Sequence, residues 1–173
     1  CLINHGKACW LFATTVAWLV FAMSLTLFLD VQTGGSIRYE IGGWQPPWGI
    51  EYHIDALAAF VLLLVSAMAA ITLSAFQRSI AIEIPKHKQG LFYTAFLLCL
   101  TGLLGIVATG DAFNIFVFLE ISSLSAYALI ALGRDRRALT ASFEYLIMGT
   151  IGATFILIGI GLLYMQTGTL NIA

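Results

Sequence analysis

Five long apolar stretches, separated by short polar segments, dominate the pattern of this 173-residue chain. An α-helix rises about 1.5 Å per residue, so roughly 20 apolar residues cross the hydrocarbon core of a bilayer. The five stretches cover residues 8–29, 56–77, 89–110, 112–133 and 138–165. The pattern therefore predicts an all-α integral membrane protein with five transmembrane helices.

The longest polar segment, residues 30–55, has a pattern of its own. Residues 37–41 alternate between apolar and polar side chains, and a second such run, 50–52, follows a turn rich in Gly, Pro and Trp. Alternation with a period of two is typical of a β-strand. We therefore expect a short structural hairpin at the membrane interface, with Trp44 and Trp48 at the level of the lipid headgroups.

Two short turns join the last three apolar stretches. The turn Thr109-Gly110-Asp111 is so tight that the helices on either side must pack as an antiparallel hairpin. Gly110 is expected to end one helix and Asp111 to cap the next. Gly133 similarly ends the fourth stretch before the basic turn 134–137, which we interpret as a topology determinant in contact with lipid headgroups.

Glycines recur in the fifth stretch, at positions 149, 152, 159 and 161. Gly149 and Ala153 have the spacing of small residues at which membrane helices approach each other closely. We therefore expect this stretch to pack tightly against a neighbour, and helix packing explains these glycines without a cofactor.

The composition excludes several classes of protein. Hydrophobic residues make up 60% of the chain and charged residues only 10%, whereas soluble domains carry about 25% charged residues. In a soluble globule of this size, about a third of the surface that the unfolded chain exposes stays exposed, so it cannot hide so much apolar area. A soluble enzyme domain and a disordered chain are excluded, and a net charge of −1 without a basic patch excludes a nucleic-acid binder.

Positive charges are distributed unequally between the two sides of the predicted membrane domain. Arg38 is the only cation on one side, and the other side carries Lys7, Arg78, Lys86, Lys88, Arg134, Arg136 and Arg137. Positive residues concentrate on the cytoplasmic side of membrane proteins. The sequence therefore predicts a multi-pass protein of the cell (inner) membrane, whose chain starts in the cytoplasm and ends outside.

Residues that could hold a metal or cofactor are sparse. Cys1, Cys9 and Cys99 form no CxxC motif and have no zinc-type spacing to a histidine, and Cys99 is best explained as a small core hydrophobe. His53 is interpreted as a solvated loop histidine, with a proton-handling role as the alternative. We predict no cofactor, no metal site and no catalytic set.

Glu120 stands out because it lies about 13 Å inside its apolar stretch. A charge at that depth costs several kcal/mol, so the carboxyl group must face protein or water and either pair with a cation or hold a proton. Helical spacing places Ser123 and Tyr127 on the same face. We interpret the three residues as a polar stripe that supports a water-filled proton path; static hydrogen bonding between helices is the alternative.

A second acid, Glu144, lies about one and a half turns into the fifth stretch. Either it continues the proton route from the inner side, or it pairs with Arg136 or Arg137. No cation inside the five stretches can neutralise Glu120, so its partner is expected beyond Ala173, or else Glu120 is protonated when unpaired. Neither chain end resembles a natural terminus, since the chain begins without Met and ends without a closing charge, and we expect a piece of a longer protein.

Two segments of the sequence carry a family resemblance. Residues 110–120 (Gly-Asp-Ala-Phe-Asn-Ile-Phe-Val-Phe-Leu-Glu) and 125–133 (Ser-Ala-Tyr-Ala-Leu-Ile-Ala-Leu-Gly) resemble the proton-conducting antiporter-like membrane subunits. That family includes the D-type subunit of Mrp-type sodium/proton antiporters and the large proton-pumping subunits of complex I and related hydrogenases. Parts of residues 42–55 and 145–171 also resemble this family, so the resemblance covers nearly the whole chain.

The resemblance implies an architecture and a role for Glu120. Members of the family have roughly fourteen helices with two inverted five-helix repeats, and this chain is similar to helices two to six, an order that also implies a cytoplasmic start. Glu120 matches the fifth-helix glutamate whose pairing with a seventh-helix lysine gates proton movement; that lysine would lie beyond Ala173. The chain departs from the family at Glu144, where many relatives carry lysine or another residue.

The function implied by the resemblance is that of a proton-translocating subunit of a multisubunit cation/proton antiporter or related respiratory complex, with Glu120 in the proton path. The expected partners are other membrane subunits, the lipid bilayer, protons and, in an antiporter, sodium. Two alternatives remain. One is a membrane subunit of a complex I-like or hydrogenase-like redox complex, whose redox centres belong to partner subunits. The other is a non-transporting scaffold that anchors its neighbours.

Overall fold

The computed structural model describes residues 6–43 and 49–172. Within them, five long helices and one short helix follow one another along the chain. Their bounds are α1 Gly6–Gly34, α2 Ala56–Ala75, α3 Gln77–Glu83, α4 Gln89–Ala108, α5 Ala112–Ala131 and α6 Arg136–Thr167. All except α3 are long and apolar enough to span a membrane, which confirms the predicted all-α fold with five transmembrane helices.

Helix ends differ from the predicted spans where local caps decide them. α1 runs about one turn further than expected, because Val31 is buried and Gly35, with a φ of 84°, ends the helix by donating its N–H to the Val31 carbonyl (3.0 Å). The second predicted span ends two residues early, at Ala75, and the short helix α3 follows it after Phe76. α6 starts earlier than predicted, where Asp135 accepts a hydrogen bond from the Arg137 N–H (3.0 Å).

The polar segment between α1 and α2 contains the predicted hairpin. Strands β1 (Ile37–Glu40) and β2 (Glu51–Ile54) pair antiparallel, with Glu40 opposite Glu51. Trp44 and Trp48, which we placed at headgroup level, lie outside the described residues. We call the membrane side with this hairpin the hairpin side, and the opposite side, where α1 and α6 begin, the basic side.

Strand β2 docks on the turn between α4 and α5. Gly110 donates its N–H to the Glu51 carbonyl (3.0 Å) and accepts from the Ile172 N–H (2.9 Å). Gly110 was expected to end α4, but the helix ends at Ala108 with Thr109 as its C-cap, and the backbone of Gly110 is not in the left-handed region. An added Cβ there would lie 3.4 Å from Glu51 Cγ and from His53 Cβ, which is ordinary van der Waals distance, so the strand lies directly against this turn.

The largest cluster of buried side chains joins α1, α2 and α4. It consists of Ala13, Ala17, Ala70, Leu73 and Tyr93. The small residues of this cluster let the helices approach each other closely. The indole groups of two tryptophans also join α1 to α2. Trp10 Nε1 donates to the Leu73 carbonyl (2.9 Å), and Trp18 Nε1 donates to Ser74 Oγ (3.1 Å). α5 then packs on α4, and α6 packs on α5, so α5 lies between two helices.

Candidate functional site

The position of α5 is set by two glycines of α4. A Cβ added at Gly102 would lie 2.6 Å from Ser122 N and 2.8 Å from the Phe118 carbonyl oxygen, so the two helix backbones are in direct contact there. One turn along α4, Gly105 packs against the side-chain ring of Phe118. The tight Gly102–Ser122 contact lies within one helical turn of Glu120, and it fixes the rotation of α5 about its own axis.

Glu120 lies on the side of α5 opposite α4. At about 100° per residue, Phe118 and Ser122 are each roughly 160° from Glu120 around the helix, and both face α4. Glu120 is half-buried. No hydrogen bond or ion pair joins its carboxylate to another residue in the part of the chain that the structure describes. The sequence placed this acid near mid-membrane, and the structure places it on a face of α5 that α4 leaves open.

The hydroxyl of Ser123, one turn further along α5, donates its hydrogen bond within the helix. Its Oγ donates to the carbonyl of Leu119 at 2.7 Å, so the hydroxyl oxygen remains as an acceptor. Ser122 and Ser125 bond in the same manner to carbonyls of α5, at 2.8 and 2.6 Å. The serines of this helix therefore need no partner from a neighbouring helix for their protons.

Tyr127 joins α5 to α6. It is 8% exposed, its ring meets the ring of Tyr145 edge-on with centroids 5.2 Å apart, and its hydroxyl packs against Gly149. Ser142 Oγ adds a hydrogen bond to the backbone carbonyl of Tyr127 (2.8 Å). The close approach expected at Gly149 is present, but a Cβ at Gly152, Gly159 or Gly161 would meet nothing within 4 Å.

Glu120 and Tyr127 share a face but do not touch. Seven residues of helix separate them by about 10 Å along the axis and only about 20° around it. Ser123 lies about 60° to one side. No hydrogen bond connects any two of the three side chains within the described residues. Proton transfer along this face therefore needs bridging groups of the kind that water provides.

Glu144 lies on the exposed surface of α6. Arg136 and Arg137 begin the same helix at least seven residues earlier, which places them about 10 Å away along the axis. Among the described residues, neither arginine forms an ion pair with Glu144. The structure therefore does not bring Glu144 together with either arginine or with Glu120.

Glu51 is a buried acid that the sequence did not single out. Its side chain is 5% exposed, and Oε1 has no hydrogen-bond partner among the described residues. This side chain is buried because β2 docks on Gly110, and no local sequence pattern predicts that docking. Beside it, Thr109 is buried and its Oγ1 accepts a hydrogen bond from Asn114 Nδ2 (3.2 Å). The described residues contain no cluster of His, Cys, Asp and Glu that could hold a metal ion.

Comparison with known proteins shows which membrane proteins the chain is similar to. Residues 109–173 match the family described as NADH:quinone oxidoreductase/Mrp antiporter, TM. The chain is 52% identical over 136 residues to NADH-quinone oxidoreductase subunit N of Desulforudis audaxviator, covering 79% of this chain and 27% of that protein. It is 32% identical over 164 residues to the D-type subunit of the Na(+)/H(+) antiporter of Bacillus subtilis, covering 94% of this chain and 32% of that one.

The fold is also similar to that of a solved structure. A chain of the membrane-bound sulfane sulfur reductase, an archaeal respiratory membrane complex, superimposes with a TM-score of 0.86 at 37% identity, covering 94% of this chain and 33% of that chain. The present chain thus spans about a third of the length of the proteins it matches.

Proposed function

The chain belongs to the antiporter-like membrane subunits shared by NADH:quinone oxidoreductases and Mrp antiporters, and from this membership we propose that it forms part of a proton-translocating subunit of a multisubunit membrane complex. The observation that carries the proposal is Glu120: a half-buried carboxylate inside a membrane-spanning helix, without a partner among the described residues. A carboxylate at that depth must hold a proton or meet a cation.

In the proposed mechanism, Glu120 alternates between a protonated state and an ion-paired state. An isolated charge at mid-membrane costs several kcal/mol, so an unpaired Glu120 takes up a proton. When a cationic group supplied from outside this chain segment approaches, the charged form is stabilised and the proton is released. Movement of the cation thus shifts the population of the two states and couples to proton movement.

We assign three further residues to the same path. Ser123 offers an acceptor oxygen beside Glu120, and Tyr127 offers a hydroxyl two turns further along the same face. Glu144 is assigned to proton entry from the basic side, which is supported by its exposure and by the absence of an ion pair with Arg136 or Arg137 among the described residues.

We also propose that the basic side faces the cytoplasm. Seven of the eight Lys and Arg residues lie on that side, as expected for the cytoplasmic side of a membrane protein. Other subunits, or other helices of the same subunit, are proposed to cover α6, whose apolar side chains are unusually open. Met148 and Phe155 are each 71% exposed, and Met165 is 82% exposed.

The test is proton transport by the complex that contains the full-length subunit, reconstituted in vesicles with a pH-sensitive dye. Glu120→Gln removes the proton-binding group without changing its shape, and we expect coupled transport to be abolished in a complex that still assembles. Glu120→Asp should partly preserve transport. Glu83→Gln is the matched control, because Glu83 is an exposed acid of α3. Normal proton flux in assembled Glu120→Gln complexes would favour the scaffold function instead.

A redox-driven complex is the second candidate for the parent assembly. It is favoured by the identity to the Desulforudis audaxviator quinone oxidoreductase, which is higher than the identity to the Bacillus subtilis antiporter. Flavin and iron in the purified complex, together with proton uptake driven by an electron donor, would support it. Proton uptake driven only by a sodium gradient would support the antiporter.

A further inference from the structure

A pocket on the basic side lies between the starts of α1 and α4 and the short helix α3. Its volume is about 330 Å³, and Lys7, Arg78, Trp10, Gln89 and Tyr93 are among the residues that line it. We call it the basic pocket. It lies away from Glu120, Ser123 and Tyr127, and the proposed proton path does not use it.

Two cations on different helices line the basic pocket. Lys7, at the start of α1, and Arg78, in α3, are both exposed, and neither forms an ion pair with an acid among the described residues. No Asp or Glu lines the pocket within the described part of the chain. The pocket therefore combines two unneutralised positive charges from separate elements, which is an arrangement that selects an anion.

The remaining polar side chains that line the pocket, Gln77, Gln89 and Tyr93, are uncharged. Tyr93 is 5% exposed, and its hydroxyl makes no hydrogen bond within the described residues. Gln89 is 9% exposed, and its Nε2 donates a long hydrogen bond to the Ile84 carbonyl (3.3 Å). The Tyr93 hydroxyl is thus available to an oxyanion held by the two cations.

The level of the pocket relative to the membrane identifies the class of anion. Trp10 and Tyr93 lie about one turn inside the starts of two membrane-spanning helices, which is where aromatic residues meet lipid headgroups. Beside Trp10 and one turn after Lys7 on α1, Leu11 is 60% exposed and offers apolar surface to an acyl chain. Basic pockets between membrane helices suit anionic headgroups.

We propose that the basic pocket binds the phosphate of an anionic phospholipid, with Lys7 and Arg78 as the charge partners and Tyr93 as a hydrogen-bond donor. The headgroup joins α1, α3 and α4 at the membrane surface, while an acyl chain follows the exposed Leu11. The proposal does not depend on the direction of proton transport or on the identity of the parent complex.

The test compares lipid binding by the purified complex that contains the full-length subunit. The thermal midpoint is measured while phosphatidylglycerol, phosphatidylcholine or inorganic phosphate is added, and retained lipids are counted by native mass spectrometry. The double variant Lys7→Gln/Arg78→Gln is compared with Lys86→Gln/Lys88→Gln, which removes the same charge from positions on the same side that do not line the pocket.

We expect phosphatidylglycerol to stabilise the wild-type complex more than phosphatidylcholine does. The pocket variant should bind phosphatidylglycerol about thirty-fold more weakly, since each cation near the headgroup contributes about fivefold. The control variant should stay within about threefold of wild type. Tyr93→Phe, which keeps the packing of the ring, should weaken binding as well.

Two results would overturn the proposal. Equal losses in the pocket and control variants would show that only the general positive charge of this side attracts the lipid. Stabilisation by inorganic phosphate equal to that by phosphatidylglycerol would show that the ligand is a free phosphate. If the double variant fails to assemble, Lys7→Gln alone provides the same comparison against Lys86→Gln, because both lysines are exposed.

Discussion

Substitution of Gly102 by alanine tests whether α4 fixes the position of α5 and therefore of Glu120. The added Cβ would lie 2.6 Å from Ser122 N, which is 0.8 Å short of the 3.4 Å at which ordinary contact begins. The atoms it meets at 2.6 and 2.8 Å include backbone atoms of α5, which cannot rotate away as a side chain can. The two helices must therefore separate by several tenths of an ångström.

The energetic cost follows from two opposing effects. Overpacking of this kind costs about 1–3 kcal/mol, whereas replacing glycine by alanine inside a helix gains up to about 1 kcal/mol. We expect a net loss of about 1–2 kcal/mol for Gly102→Ala. The matched control is Gly152→Ala in α6, where the new methyl group would meet nothing within 4 Å and only the gain of up to about 1 kcal/mol applies.

The assay is thermal unfolding of the detergent-solubilised complex, followed by proton transport in vesicles. Gly102→Ala should melt below wild type and Gly152→Ala at or slightly above it. Transport should fall in Gly102→Ala, since the displaced segment carries Glu120. If the two variants have the same thermal midpoint, then α4 and α5 are not in backbone contact, and the argument that this contact orients Glu120 fails.

Two further predictions concern the turn between α4 and α5. Asp111→Ala removes the acceptor for the Asn114 N–H (2.8 Å) and should cost about 1 kcal/mol, seen as faster amide exchange in the first turn of α5, while Asp111→Asn should keep most of the protection. Glu51→Gln retains the shape of a buried side chain whose Oε1 has no partner among the described residues, and it removes the carboxylate charge. Because burying a charge costs more than burying a neutral amide, the thermal midpoint should rise. A lower midpoint for Glu51→Gln would show instead that a donor from elsewhere in the complex satisfies this carboxylate.

The parts of this fold that the sequence predicts well are those in which one strong local constraint decides the outcome. Bilayer hydrocarbon accepts only backbone whose hydrogen bonds are satisfied internally, so five apolar stretches predict five helices. The alternation in residues 37–41 predicts β1 because period two has no helical equivalent. Asp111 is an equally local signal, since its cap needs only the N–H three residues later.

Contacts between distant segments were harder to predict. Small residues occur in both α4 and α6, but the structure uses Gly102 and Gly149 for close helix contact and leaves Gly152 open. Which glycine packs depends on the neighbour that each helix meets, and periodicity along one helix does not specify that neighbour. The burial of Glu51 has a similar cause, because it depends on a strand that docks on a turn almost sixty residues later.

The arrangement of α5 bears directly on the choice between a transport function and a scaffold function. One face of this helix is held by α4 at Gly102, and Tyr127 fixes its far end to α6. A glutamate kept only to bind helices together would be expected on one of these packed contacts, with its oxygens paired, because an unsatisfied buried polar group costs about 1–3 kcal/mol. Glu120 lies on the face opposite α4, which it shares with Tyr127, yet no described residue bonds to its carboxylate. Its partner is therefore a proton or a group from outside the described residues, and the two functions differ in whether that partner exchanges during turnover. A static partner would leave Glu120→Gln complexes assembled poorly but transporting normally per complex, whereas an exchanging partner would leave them assembled and unable to transport.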